Sequence, residues 1–374
     1  MPRQVPLTIP YLSTSEEKAL VEVLRSNWIT MGELVERFET EFSSLHKVNY
    51  GVGVNSCTAA LHLALASSGI TTGDEVLVPS LTFAATANAV LYCNASPVFV
   101  DIESELSPLI SLEDARSKLT PKTKAVVVMH YAGYSVNMKA WRQFADENDL
   151  LLFEDAAHAP MGTNVGRYSD ASTFSFYSNK NMTTAEGGML LTDNESIATK
   201  ARLMRSHGMT KSTLTRDRGH AFSYDIVELG YNYRMDELKA ALGVVQLKQL
   251  PSWNKKRRTI TDTYRQLLNN IPEISVPFNS QHPTVGHIMP ILLPQKISRT
   301  ALMAELRQQG VQTSIHYPPV HLFEYHRKRL GKITLSQTES FSSRELTLPL
   351  YPTLNEDDIA YVVDTLAIAL AKHQ

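Results

Sequence analysis

The chain has 374 residues, and 36 Lys+Arg against 38 Asp+Glu leave a formal net charge of −2. With 43% hydrophobic and 20% charged residues it reads as a folded globular protein rather than a disordered one. The absence of a basic excess gives no charge footprint for nucleic acid.

The length fits two domains, or one large domain with an appendage. Cys57 and Cys93 cannot build a disulfide framework. With no apolar leader in the opening MPRQVPLTIPYL, they fit a reducing cytoplasm. Val76–Val100 carries no charged side chain and is long enough to cross a bilayer. Its Pro79, Pro97, Asn88, Asn94, Thr82 and Thr86 instead predict a buried strand, a helix and a second buried strand, with no membrane span.

In chain order, apolar runs predict strands at Gly51–Val54, Glu75–Val78, Pro97–Val100, Ala125–Met129, Leu150–Phe153, Thr173–Phe176 and Met189–Leu191. They are apolar on both faces, as strands of a covered, mainly parallel sheet are. Helical patterns at Ala59–Ser67, Thr82–Tyr92, Leu112–Lys118 and Met138–Glu147 alternate with them, which is an α/β arrangement. Beyond Asp193, helices are expected at Ser196–Ser206 and Asp236–Arg258, with a hinge at Leu247–Pro251. Then follow a strand (His287–Leu293), a helix (Thr300–Gln309), a loop (Ile315–Phe323) and a last helix (Glu356–Lys372). The expected division is a large α/β domain over 1–250 and a smaller α+β domain over 251–374.

Ligands of open α/β sheets bind at the carboxyl ends of the strands, so the residues after each strand matter most. After Val54 come Asn55-Ser56-Cys57-Thr58, small polar residues opening a helix. They serve either as a plain cap or as a cradle for a phosphate. After Phe153 come Glu154-Asp155-Ala156-Ala157-His158. After Phe176, Lys180 sits among uncharged residues between two apolar strands. That environment suits a desolvated amine able to form a Schiff base. Anion cradle, carboxylate and buried lysine are the three things pyridoxal phosphate requires. Asp155 and Lys180 are 25 residues apart, the length of a loop and one strand, so neighbouring strand ends could carry both.

Further segments complete a pattern: Trp28-Ile29-Thr30-Met31-Gly32, Ser56-Cys57-Thr58-Ala59-Ala60-Leu61, Pro79-Ser80-Leu81-Thr82-Phe83, Phe174-Ser175-Phe176, Gly230-Tyr231-Asn232-Tyr233-Arg234 and His316-Tyr317-Pro318-Pro319. In this order and spacing, over nearly the whole chain, the sequence resembles the nucleotide-sugar aminotransferases. These are the DegT-type family of fold-type-I pyridoxal-phosphate enzymes. The resemblance implies a large domain with a mainly parallel seven-stranded sheet and a smaller C-terminal α+β domain. It implies that Lys180 carries the cofactor and moves the proton, and that Asp155 pairs with the pyridine nitrogen. His158 would lie near the cofactor hydroxyl, and Phe83 would stack on the ring. Cys57, Thr58 and Ser175 would hold the phosphate. Asn232 would reach the cofactor of the partner subunit in a homodimer. Met31, His316, Tyr317 and His321 would line the sugar-nucleotide cleft.

The activity implied is transfer of an amino group from L-glutamate to a nucleotide-linked 4-keto-sugar, UDP-linked by the character of His158 and its surroundings. The alternatives are a C3-aminating dTDP-sugar enzyme, a keto-sugar dehydratase and a non-catalytic regulator. Retention of Lys180 and Asp155 separates the chain from the last two. Cys57 and Ala185 stand where relatives commonly carry Gly or Ala, and Gly, respectively. Lys255-Lys256-Arg257-Arg258 reads as a solvated helix face. The histidines lack a paired metal-binding spacing, so no metal is expected.

Overall fold

All seven runs read as strands pair into one sheet. The computed structural model describes residues 3–210 and 223–373. Its strands are β1 (Tyr50–Val54), β2 (Glu75–Pro79), β3 (Ser96–Val100), a small hairpin of β4 (Ile102–Ser104) and β5 (Ser107–Ile110), β6 (Thr123–Met129), β7 (Leu151–Asp155), β8 (Ala171–Ser175) and β9 (Gly188–Thr192). The seven-stranded sheet has the order β1-β9-β8-β7-β6-β2-β3. Only β9 runs against its neighbours, β8 and β1; the other pairings are parallel. The uncharged Val76–Val100 stretch becomes β2, a helix over Ala84–Tyr92 and β3. Among the described residues, no helix is long and apolar enough to cross a membrane.

Successive side chains on a strand point to opposite faces. Val76 and Val78 pack on one side with Val127, Phe153 and the helix Cys57–Ser67. Leu77 packs on the other with Val126, Val128, Trp141 and Phe144. Further along that second side, Phe174, Met189 and Leu191 meet Phe38 and Phe42 of the helix Glu33–His46. Both faces are therefore covered, which is why these strands are apolar throughout.

The helix predicted over Asp236–Arg258 runs from Glu237 to Leu268, through Pro251 and across the expected 250/251 boundary. Its buried positions Leu250, Trp253, Asn254, Arg257, Ile260, Thr261, Tyr264 and Leu268 keep the period of one helical face. Tertiary packing along that face outweighs the missing N–H of one proline. Its far end enters a second core with Ile291, Leu302, Val311, Leu346 and Val362. Val5 joins that core and exchanges backbone hydrogen bonds with Gly310 and Gln312 at 2.8 and 3.0 Å. The second core also holds a two-stranded sheet of β10 (Met289–Leu292) and β11 (Glu345–Leu348).

The solvated reading of the basic run needs correction. Lys255, Lys256 and Arg258 are exposed, but Arg257 is 2% exposed. Its guanidinium donates to the carbonyls of Gly286, His287 and Leu350 at 3.5, 3.2 and 3.1 Å. Burial pushes its pKa down to about 9.

Candidate active site

The cavity lies at the carboxyl ends of β7 and β8. It encloses about 470 Å³ and is lined by Cys57, Thr58, Phe83, Asp155, His158, Ser175, Lys180, His316 and Tyr317, among others. Nine of the sequence-predicted site residues thus meet in one place.

Three elements build the floor. Ser56 caps the helix Cys57–Ser67 by accepting from Ala59 N–H at 3.2 Å. The N–H groups of Cys57 and Thr58 have no partner within the helix, as at any helix start, and with the Thr58 hydroxyl they border the cavity. Gly188 is needed here: a Cβ on it would lie 2.5 Å from the Ser56 carbonyl carbon and oxygen. Asp155 ends β7 and is 3% exposed. Its two oxygens accept from the Thr86 hydroxyl at 2.7 Å and from Ala157 N–H at 3.1 Å. Thr86 in turn lies 2.7 Å from the Thr82 hydroxyl, so the carboxylate is fixed by a short chain of polar groups. Neither threonine was among the sequence-predicted site residues. Their only signal was polarity in an otherwise apolar stretch.

Lys180 follows β8 on the adjacent strand. Burial lowers its pKa to about 8, against the opposing pull of Asp155 and Cys57. Near neutral pH an appreciable fraction of the amine is free to act as nucleophile and base. Burial and the Asp155 charge keep the Cys57 thiol protonated, so it is a contact and not a nucleophile. Asn179 Oδ1, beside Lys180 on the same wall, is buried with no hydrogen-bond partner.

His158 is 1% exposed and packs against His287 in a tilted arrangement, with ring centroids 4.1 Å apart. Burial and the Lys180 charge hold it well below the ordinary histidine pKa. Its Nδ1 accepts from Ala132 N–H at 3.3 Å, which places the ring proton on Nε2. Nε2–H then donates to the Tyr317 hydroxyl at 2.8 Å, leaving that O–H to donate into the cavity. Phe83 is 60% exposed at the mouth, 6.0 Å from the Tyr317 ring.

Three predicted residues lie outside this cavity. Met31 lines a separate cleft of about 700 Å³ with Arg202 and Arg205. His321 is turned inward, its Nδ1 2.6 Å from the Ser80 hydroxyl and its Nε2 3.3 Å from Glu339. Asn232 is exposed, and its carbonyl accepts from Asn55 at 3.3 Å, close to the phosphate-cradle helix. Among the described residues no cluster of potential metal ligands occurs.

Pyridoxal phosphate fits this donor set. Helix-start N–H groups, Thr58 and Ser175 can hold its phosphate, Asp155 its ring nitrogen and Lys180 its aldehyde. Residues 10–367 match the DegT/DnrJ/EryC1/StrS aminotransferase family. The spore coat polysaccharide biosynthesis protein SpsC of Bacillus subtilis is 36% identical over 378 residues, covering 97% of this chain and 96% of the relative. Helicobacter pylori PseC, an aminotransferase involved in the biosynthesis of pseudoaminic acid, superposes with a TM-score of 0.92 at 27% identity. That match covers 99% of this chain and 100% of PseC. NtdA of Bacillus subtilis with bound cofactor PMP gives 0.88 at 29% identity, covering 99% and 87% of the two chains. The chain belongs to the DegT/DnrJ/EryC1/StrS aminotransferase family, and it is a pyridoxal-phosphate-dependent sugar aminotransferase.

Proposed function

We propose that the enzyme transfers the amino group of L-glutamate to C4 of a UDP-linked 4-keto-sugar, in the cytoplasm, for cell-surface polysaccharide or related glycan synthesis. The observation that carries the reading is the meeting of Lys180, Asp155, Thr58, Ser175 and His158 in one cavity. The likeness to SpsC and PseC supports a sugar substrate in a glycan route.

When bound, pyridoxal phosphate supplies an aldehyde that condenses with amines and a ring that takes up electrons after proton removal. The rest is the work of the chain. Thr58, Ser175 and the N–H groups at the helix start fix the phosphate. Asp155, held in place by its two donors, would pair with the ring nitrogen. Lys180, with its lowered pKa, takes the proton from the α carbon of the donor and later returns one to the sugar carbon that gains nitrogen. Tyr317, oriented by His158, offers its hydroxyl to an oxygen in the cavity.

A panel of keto-sugar nucleotides with L-glutamate tests the substrate. UDP-4-keto-sugars are expected to turn over fastest; preferential amination of dTDP-3-keto-sugars overturns the reading. The active site is further read as shared in a homodimer, with Asn232 completing the partner's phosphate site. After dissociation and reassociation, Lys180→Ala and Asn232→Asp subunits should regain activity that neither parent has. No recovery despite demonstrated subunit exchange removes the cross-subunit role.

A further inference from the structure

β11 (Glu345–Leu348) has two unlike faces. Leu346 and Leu348 enter the second core, while Glu345 and Thr347 project the other way, as alternation on a strand requires. Both polar side chains are fully buried. Ser314 and Thr347 exchange backbone hydrogen bonds at 3.1 and 2.9 Å, which lays the following residues along the strand. His316 N–H then donates to Glu345 Oε2 at 2.8 Å. Glu345 Oε1 and Thr347 Oγ1 are 2.5 Å apart. Thr347 Oγ1 and His316 Nδ1 are 2.8 Å apart. With Nδ1 so engaged, Nε2 is the ring nitrogen left for the cavity His316 lines.

A hydroxyl has one proton to donate. Thr347 can give it to Glu345 or to His316, not to both. When Glu345 is ionised, Thr347 donates to Oε1 and accepts from His316 Nδ1–H, so Nε2 carries a lone pair. When Glu345 is protonated, its proton sits on Oε1, because Oε2 already accepts the His316 N–H. Oε1–H then donates to Thr347, Thr347 donates to Nδ1, and Nε2 carries the hydrogen.

We propose that Glu345, Thr347 and His316 form a proton relay that sets whether His316 offers the active-site cavity a donor or an acceptor at Nε2. The protons balance along it. Loss of one proton from the set moves the Oε1 proton to Thr347, the Thr347 proton to Nδ1, and releases the Nε2 proton to water in the cavity. No net charge develops on the imidazole; the charge appears on the buried carboxylate. Glu345 and Thr347 are positioning residues, since neither lines the cavity. A donor at Nε2 complements a carbonyl or carboxylate oxygen of a substrate; an acceptor complements an N–H or hydroxyl.

The surroundings put this exchange within a working pH range. Burial pushes the Glu345 pKa up to about 8, against the Thr347 and His316 donors and the Arg299 charge. Arg299 donates to the Glu345 carbonyl at 2.9 Å. Tyr131 donates to the His316 carbonyl at 2.5 Å, and Tyr317, His158, His287 and Lys180 complete the titratable groups around the pair. Burial, then the Lys180 charge, lowers the His316 pKa to about 4, so the ring stays neutral while Glu345 titrates.

The test is ¹⁵N NMR of the histidine-labelled holoenzyme between about pH 6.5 and 9.5, with the His316 signals assigned by their loss in His316→Gln. No substrate is involved, so the result is independent of the substrate assignment. The wild type should show the Nε2–H pattern at low pH and the Nδ1–H pattern at high pH, crossing near pH 8. Glu345→Gln, whose amide donates permanently, should hold the Nε2–H pattern throughout. Thr347→Val should abolish the exchange and Thr347→Ser should keep it. A wild-type pattern that does not change with pH overturns the relay. So does an exchange that survives Thr347→Val, which would trace it to Lys180 or another neighbour. Loss of the exchange in Thr347→Ser ties it to packing and overturns the relay as well.

Discussion

Lys180, half-buried beside the cavity, and Arg257, fully buried, are both cations whose pKa values burial lowers, to about 8 and about 9. Their surroundings differ. Lys180 borders an open volume with Asp155 and Cys57 nearby. Arg257 is enclosed by the protein, and its Nη1 donates to three main-chain carbonyls. A buried positive charge is therefore not in itself a sign of chemistry. What distinguishes Lys180 is room for a ligand and a nitrogen that can give up its proton and attack; a guanidinium, planar and strongly basic, suits a joint between segments.

Substitutions can break this contrast. The largest effect is expected from Lys180→Ala, which should lower turnover at least about 10³-fold by removing both nucleophile and base. Borohydride treatment of the wild type should fix the cofactor to Lys180; an adduct on any other lysine refutes the assignment. Arg257→Met should strand three buried carbonyls and cost about 3 kcal/mol in a denaturant titration. Its turnover per folded molecule should stay within about twofold. Full stability with lost turnover would instead make Arg257 part of the site. Asp155→Asn should lower kcat about a hundredfold, in line with the loss of a charge-assisted hydrogen bond. An unchanged single-turnover rate rejects that role.

The smallest effect concerns the cofactor-free protein. Burial disfavours charged Lys180 in the folded state, so its folded pKa of about 8 lies below the ordinary lysine value of 10.5. The unfolded chain binds more protons between those values, and wild-type stability rises with pH across that window. Lys180→Met should therefore melt higher than the wild type below pH 8. The advantage should shrink as pH approaches about 10.5. An advantage that does not depend on pH would assign it to packing.

The sheet was legible because its strands are buried on both faces, and each run of Val, Leu and Phe marks its own position within a few residues. Lys180 and Asp155 were legible as polar residues at the ends of such runs. Ala185, at a position where the resemblance implied a glycine, has a φ of 66°, a left-handed conformation glycine adopts without strain. What the sequence hid are partnerships across long separations. Thr86 meets Asp155 over 69 residues and Tyr317 meets His158 over 159, and no local periodicity encodes either. The reading placed a hinge at Leu247–Pro251 because proline is a local signal, whereas the face that carries the helix past Pro251 is satisfied only by distant segments.

The position of β9 bears on how the molecule is made. This strand is inserted between β8 and β1, and β1 ends more than 130 residues before β9 begins. Until β1 pairs with β9, the start of the helix Cys57–Ser67 lacks the backbone that Gly188 presses against it. Closing so long a loop is slow compared with pairing neighbours. During refolding, competence to take up the cofactor should appear with the last phase rather than with the bulk of secondary structure. The visible absorbance of bound pyridoxal phosphate then becomes a clock for completion of the sheet.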